Sequence, residues 1–259
     1  MPVNPEFLAF TKVMSRWLTE DHTLIAAYLG RRHVVPGWWV GVLAFTVCFA
    51  QAGELGFSSS VTPGLVAHMA QEFGEQARGR LKSWQEMVQN RRLSDSQNWE
   101  KLSDHAEHEI ETGVNGFFNR VPFIDDLTHW GVEDYWATPA EFMASNGGDC
   151  EDFTIAKYFA LKEIGVPITH LRMTYVKATR LNQAHMVLAY YPTSDAEPLI
   201  LDNLENDIRP ASERPDLIPV YSFNDDDVWL ARTGERAGSP TQIRLWRGLL
   251  EKLEQEQRM

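Results

Sequence analysis

The sequence predicts an α+β fold, with helices first and an antiparallel sheet after them, on three observations. Apolar residues recur at helical spacing up to Gly165-Val166-Pro167, and beyond that proline they give way to short alternating runs rich in β-branched residues. Two of those runs flank Pro192-Thr193-Ser194-Asp195, a turn sequence that reads as the tip of a hairpin. With 259 residues, 44% of them hydrophobic and 23% charged, the chain can bury a sizeable core, and its composition argues against wholesale disorder and against a multi-span membrane protein.

The first element is not part of that fold. Arg31, Arg32 and His33 precede a thirteen-residue apolar run from Trp38 to Ala50, which closes with Ala50-Gln51-Ala52. Basic residues, a short apolar stretch and an A-x-A ending have the pattern of a secretory signal peptide, whereas a spanning helix needs about 20 apolar residues. We expect cleavage after Ala52, with residues 1–52 as signal peptide, 53–259 as a single exported domain and no stable membrane insertion afterwards; an uncleaved anchor or a buried core helix is the alternative. Cys48 follows the bulky Val47, which is a poor context for lipidation. The exported chain keeps twenty basic against thirty-three acidic residues, a net charge of −13, with no Lys/Arg stripe. Such a surface argues against nucleic-acid binding and favours cationic partners, metal ions included. Cys150 is then the one cysteine left, so no intramolecular disulfide can form and a chemical role for the thiol competes with an inert buried one.

Residues 65–93 and 97–121 read as helices, the second with Ile110, Val114, Phe117 and Val121 at helical spacing. His105 and His108 could share a metal there, but Asp104, Glu107, Glu109 and Glu111 around them mark a solvated face. The stretch from Phe123 to Gly148, with Trp130, Tyr135 and Trp136, then Thr138-Pro139 and a short segment Ala140–Ala144, has the composition of a loop that lines a site or covers a satellite core.

Gly147-Gly148-Asp149-Cys150-Glu151-Asp152 comes next, followed by Phe153, Ile155, Ala156, Phe159, Ala160 and Ile164. A helix starting near Asp149 and ending at Gly165 places Cys150 in the first turn, where unpaired N–H groups favour a thiolate. Asp149, Glu151 and Asp152 act against it, since a helix end offsets only about 0.3–1 kcal/mol per charge. A hard cation would resolve the conflict, and Ca²⁺ with its flexible oxygen shell suits crowded carboxylates better than Mg²⁺. Capping alone is the competing reading. Asp225-Asp226-Asp227 reads mainly as a solvated loop.

Strands are expected at His170–Ala178, His185–Tyr191, Leu199–Asn203 and Ile218–Phe223. Folding the second onto the third about residues 193–194 sets His185 opposite Asp202, to within a residue or two of register. An imidazole brought to a carboxylate, beside a helix whose first turn offers a thiol, is a nucleophile–base–orienter arrangement.

The Gly-Gly-Asp-Cys-Glu-Asp block, then Ala156-Lys157-Tyr158-Phe159, Ala184-His185-Met186-Val187 and Leu201-Asp202-Asn203-Leu204, resembles the bacterial transglutaminase-like cysteine peptidases. More closely, it resembles the LapG-type calcium-dependent periplasmic proteases, over about Trp99 to Trp229 and including the Trp136-x-Thr138-Pro139 approach. The resemblance implies a papain/transglutaminase-like fold in which the helix bearing the Cys packs on an antiparallel sheet bearing His and Asp. It implies Cys150, His185 and Asp202 as catalytic triad and Ca²⁺ on Asp149, Glu151 and Asp152. It further implies a periplasmic endopeptidase that cuts the N-terminal region of a large cell-surface adhesin and so promotes biofilm dispersal, restrained by the periplasmic domain of an inner-membrane cyclic di-GMP receptor. A transglutaminase-type acyl transferase and a non-catalytic calcium-dependent binding module are the alternatives.

Overall fold

Residues 61–93, 99, 104–231 and 233–259 are described by the computed structural model, so the expected signal peptide and Cys48 lie outside the described residues. Among the described residues no helix is long and apolar enough to cross a membrane.

The first expected helix is two. Thr62 caps α1 (Pro63–Phe73) by accepting from Leu65 N–H, with Pro63 in the first turn where its missing donor costs nothing. Gly74 then takes φ +86°, a conformation that a helix cannot continue through, and α2 (Gln76–Gln89) starts beyond it. The second expected helix is shorter than 97–121: α3 runs Asp104–Phe118, leaving Val121 past its end. The aromatic stretch that follows holds two short helices, α4 (Asp126–His129), capped by Asp125, and α5 (Pro139–Ser145), opened by a Thr138/Glu141 capping box and closed by Asn146 in the left-handed region.

α6 (Cys150–Ile164) is the central element. Asp149 and Asp152 form its capping box, Gly165 ends it at φ +115°, and twelve of its fifteen residues are buried, a pattern that only a helix enclosed on all sides shows. It packs on the middle of a seven-stranded sheet whose order is β4-β3-β2-β1-β5-β6-β7, with every neighbouring pair antiparallel. The strands are β1 (Leu171–Ala178), β2 (Gln183–Tyr190), β3 (Leu199–Leu201), β4 (Arg209–Pro210), β5 (Leu217–Phe223), β6 (Val228–Leu230) and β7 (Arg236–Gly238). β3 stops two residues before the expected end, and His170 sits in a 3-10 turn instead of the strand. β4, β6 and β7, of two or three residues each, lie toward the sheet edges and escape the sequence pattern because so few residues carry no alternation.

A C-terminal helix, α7 (Arg244–Glu256), is also absent from the sequence expectation, although Trp246, Leu249 and Leu253 give it a buried stripe at helical spacing. Trp246 is fully buried, stacked on Phe159 of α6 at 5.9 Å and edge-on to Phe223 of β5 at 5.5 Å. Farther along, Lys252 Nζ donates to Trp136 O at 2.6 Å and to Glu141 Oε2 at 2.7 Å, and Thr138 donates to Glu256. α7 thereby clamps residues 136–141, the segment that approaches the start of α6.

Candidate active site

Cys150 is the first residue of α6, a free, half-buried thiol. The loop before it admits no side chain at Gly148: a Cβ there would lie 2.4 Å from Asp152 Oδ2, the oxygen that accepts from Asp149 N–H at 3.3 Å. Gly148 also pairs with Phe123 in a parallel bridge, and its carbonyl accepts from Ile124 N–H at 2.9 Å, which draws the 123–126 segment alongside. The sulfur donates to Glu151 Oε2 at 2.9 Å and has the Met186 backbone N–H against it. Thr154 Oγ1 lies between Cys150 O at 2.9 Å and Met186 O at 3.0 Å, tying the first turns of α6 to β2 next to His185.

His185 and Asp202 are both buried, and imidazole Nε2 donates to Asp202 Oδ1 at 2.8 Å. The register differs slightly from the expected one. Leu188 stands opposite Leu201, so one further step sets Val187, not His185, across from Asp202. An offset of two keeps both side chains on one face, and β3 has already ended at Leu201, so the chain is free to turn Asp202 toward the imidazole. Leu204 N–H donates to the same Oδ1 at 3.0 Å, Arg214 Nη2 to Oδ2 at 2.8 Å, and Asn119 Nδ2 to the Asp202 carbonyl at 2.8 Å. Burial alone would raise the Asp202 carboxyl, but the bond and charge of His185, with the Leu204 and Arg214 donors, outweigh it and hold the group well below the usual carboxylate range. Lys157, on α6 and fully buried, is pushed down to about 7 by burial, against the pull of the Asp202 charge.

Two overlapping sets of ligand atoms meet at the mouth of α6: Asp149, Cys150 and Glu151, and Asp126, Asp149 and Asp152, the atoms of each set within 4.8 Å of one another. The expected trio of Asp149, Glu151 and Asp152 is therefore brought together in part. Asp149 and Asp152 share the inner set, Glu151 lies on the thiol side, and Asp126 of α4 completes the inner set. Asp152 Oδ1 accepts from Ala137 N–H at 2.7 Å and Asp126 Oδ2 from Tyr135 N–H at 2.5 Å, while Asp126 Oδ1 and Asp149 Oδ1 are buried without a partner. Burial, compounded by mutual repulsion, pushes the Asp126 carboxyl up to about 6, that of Asp149 up to about 12 and that of Asp152 well above the usual carboxylate value. Burial and then the Glu151 and Asp149 charges push the Cys150 thiol up as well, with the Met186 N–H opposing. Orphaned buried oxygens on an all-carboxylate set fit a hard divalent cation such as Ca²⁺. Asp126 was invisible to spacing, twenty-three residues before Asp149, and the Asp125-Asp126 pair does not single it out, since Glu133-Asp134 is a second acidic pair in the same aromatic loop.

The other acidic and imidazole candidates separate. Asp225 accepts from Tyr158 Oη at 2.8 Å and pairs with Lys162, and Asp227 pairs with Arg236, while Asp226 between them is exposed, so two acids of the expected solvated loop are engaged in ion pairs. His108 is exposed beside Thr112 at 3.4 Å, and the side chain of His105 lies outside the described residues.

The model of the bacterial transglutaminase-like cysteine proteinases, BTLCP, matches residues 74–236. Among solved structures, EGTA-treated LapG of Legionella pneumophila is 39% identical, with a TM-score of 0.62 over 76% of this chain and 97% of that one. Calcium-bound LapG of the same organism is 40% identical, with a TM-score of 0.60 over 76% of this chain and 99% of that one. No curated protein matches the chain. The helices and antiparallel sheet agree with the expected α+β, papain/transglutaminase-like fold.

Proposed function

From the premise that the chain belongs to the bacterial transglutaminase-like cysteine proteinases, we propose that it is a calcium-dependent endopeptidase whose nucleophile is Cys150, with His185 as general base and Asp202 as orienter. The observation that carries this reading is the buried His185–Asp202 bond at 2.8 Å, on the strand whose next residue, Met186, touches the Cys150 sulfur. With Nε2–H committed to Asp202, the Nδ1 lone pair is the acceptor for the thiol proton. The sulfur forms a bond to the scissile carbonyl carbon, the imidazolium returns its proton to the leaving amine as the C–N bond breaks, and a thioester is left. A water then gives its proton to His185 and attacks the thioester, releasing the acid and the thiol. The Cys150 backbone N–H, at the unpaired N-terminus of α6, is placed to donate to the carbonyl oxygen as it gains charge.

Asp126, Asp149, Glu151 and Asp152 would hold Ca²⁺, which when bound offsets the carboxylate charge beside the thiol. Calcium-bound Legionella pneumophila LapG supports that ion. On the strength of the LapG resemblance, we place the protein in the periplasm after signal cleavage, give it the N-terminal region of a large surface adhesin as substrate, and make the periplasmic domain of a cyclic di-GMP receptor its inhibitor. The test is incubation of the exported protein with a cell-surface extract, with and without chelator, and N-terminal sequencing of whatever is released. Release of a large surface protein in calcium alone is the expected result; equal release in chelator or by Cys150→Ala defeats the proposal.

A further inference from the structure

The connection from β4 to β5 carries a cation that the reaction as written does not use. Arg214 follows the 3-10 turn Ala211–Glu213 and is only 7% exposed. Burying a guanidinium is costly unless its donors are met, and here two carboxylates take Nε and Nη2 while Nη1 is buried without a partner. Asp216 holds its edge in a fork, Oδ1 accepting from Nε at 3.2 Å and Oδ2 from Nη2 at 3.1 Å. Nη2 in turn reaches Asp202 Oδ2 at 2.8 Å. The two oxygens of Asp202 are thus divided: Oδ1 takes His185 Nε2–H and Leu204 N–H, and Oδ2 takes Arg214.

We propose that Arg214 is a positioning residue for the peptidase, fixing the plane and the negative charge of Asp202 so that the His185 proton stays on Nε2 and Nδ1 keeps its lone pair for the Cys150 proton. The proposal rests on the triad reading above. The charge on His185 comes and goes as it takes and returns a proton, so the buried carboxylate beside it needs a counter-charge that stays. Two cations are at hand, and they differ in kind. Lys157 acts on Asp202 only through its field, from a side chain that burial drives toward the neutral amine. Arg214 stays charged and is planar, so its direct bond fixes direction as well as charge. Rotation of the Asp202 carboxylate about its Cβ–Cγ bond would swap its oxygens and release the imidazole. The Arg214 bond on Oδ2 resists that rotation, and the Asp216 fork keeps Arg214 from following it. A purely structural clamp between the 202–204 turn and residues 214–216 would use the same bonds, so the test must read the imidazole.

The test compares Arg214→Gln, Arg214→Lys, Asp216→Asn, Asp202→Asn and the Asp202→Asn/Arg214→Gln pair, all in saturating Ca²⁺ and checked for folding by thermal melting. Iodoacetamide is the probe, since its rate of Cys150 alkylation follows the thiolate that His185 sustains. ¹⁵N-histidine NMR reports the His185 tautomer. Arg214→Gln should lower the alkylation rate roughly 10–100-fold and mix Nδ1–H into a tautomer signal that is pure Nε2–H in the wild type, as loss of an outer partner of an imidazole does elsewhere. Arg214→Lys should recover part of the rate, keeping charge without the fork, and Asp216→Asn should show a milder loss of the same kind if Arg214→Gln fails to fold. In the Asp202→Asn background the Arg214 change should cost less than about twofold, because the group it acts through is gone. A folded Arg214→Gln with wild-type alkylation and an unmixed tautomer overturns the proposal, as does an equal cost in both backgrounds. Failure of the triad reading looks different: Asp202→Asn would then leave the alkylation rate unchanged, whatever it does to the tautomer.

Discussion

Asp126→Asn should move stability in opposite directions with and without calcium. The side chain is 4% exposed, its Oδ1 has no partner, and it stands within 4.8 Å of ligand oxygens on Asp149 and Asp152. Burial, with repulsion from Glu151 and Asp125, lifts its carboxyl from an ordinary value near 3.8 to about 6 despite the Tyr135 N–H bond. A carboxyl raised on folding costs stability as pH climbs from the unfolded value through the folded one, so above about pH 7 the full penalty applies, at most about 3 kcal/mol at 1.36 kcal/mol per pKa unit. Asparagine keeps an oxygen for Tyr135 N–H and offers an amide toward the Asp149 oxygen. In chelator at about pH 8 the variant should therefore melt above the wild type, by up to roughly 6–12 °C for a chain of this size. In calcium at about a hundred times its dissociation constant the wild type gains about 2.7 kcal/mol, and the variant, short of one anionic ligand, gains less. Thermal melting of both proteins in chelator and in calcium measures this. A variant that melts lower in chelator, or an identical calcium-induced shift in the two proteins, would refute the assignment of Asp126 to the ion.

Replacing Cys150 by Ala should abolish release of surface protein and leave the melting temperature within a degree or two, since the thiol has no disulfide partner; persistent cleavage by the folded variant would remove it as nucleophile. Asp202→Asn should cut the cleavage rate on the order of 10⁴-fold by favouring the wrong imidazole tautomer, and a loss confined to KM would contradict that cause. Glu111, 1% exposed, has a carboxyl that burial and the Glu107 charge raise to about 9. Its contribution is favourable when protonated and is lost as pH rises from its unfolded value toward 9, so Glu111→Gln should flatten the fall in urea stability between about pH 5 and 8, and parallel curves for the two proteins would show that the group titrates normally. Trp246→Ala should cost about 3–5 kcal/mol, measured by urea unfolding, because it empties the junction of α6, β5 and α7.

The parts of this fold that could be read in the sequence are those that local chemistry decides. The Gly-Gly loop, Asp149 as cap, the buried run from Phe153 to Ile164 and Gly165 as stop mark α6 to the residue, and the position of Cys150 follows from them. Long strands show their alternation; β4, β6 and β7 are too short to have any. The His185–Asp202 pairing was accessible because a hairpin makes register a matter of arithmetic, and the two-residue error fell on the same face. Asp126 and Arg214 were not accessible. Each meets its partner through tertiary packing, Asp126 through the bridge of Phe123 to Gly148 and Arg214 through the return of the chain after β4, and neither arrangement leaves a periodic trace.

These origins divide the site into two halves with different needs. On the sheet, Asp202, Arg214 and Asp216 alternate in charge along a hydrogen-bonded line that ends at His185, so both carboxylates have the guanidinium as counter-charge. At the helix mouth the groups that crowd Cys150 are all acids, and the helix N-terminus offsets only a fraction of one charge. On the proposed reading, the protein's own cations would organise the base, whereas the nucleophile would depend on a cation from solution. Calcium control of such an enzyme should therefore act on the reactivity of Cys150 while the His185 tautomer stays fixed. Iodoacetamide kinetics and ¹⁵N-histidine NMR in chelator separate the two: slow alkylation with an unchanged Nε2–H signal is expected, and a tautomer that shifts on chelation would mean that the two halves are coupled through the helix–strand contact at Met186.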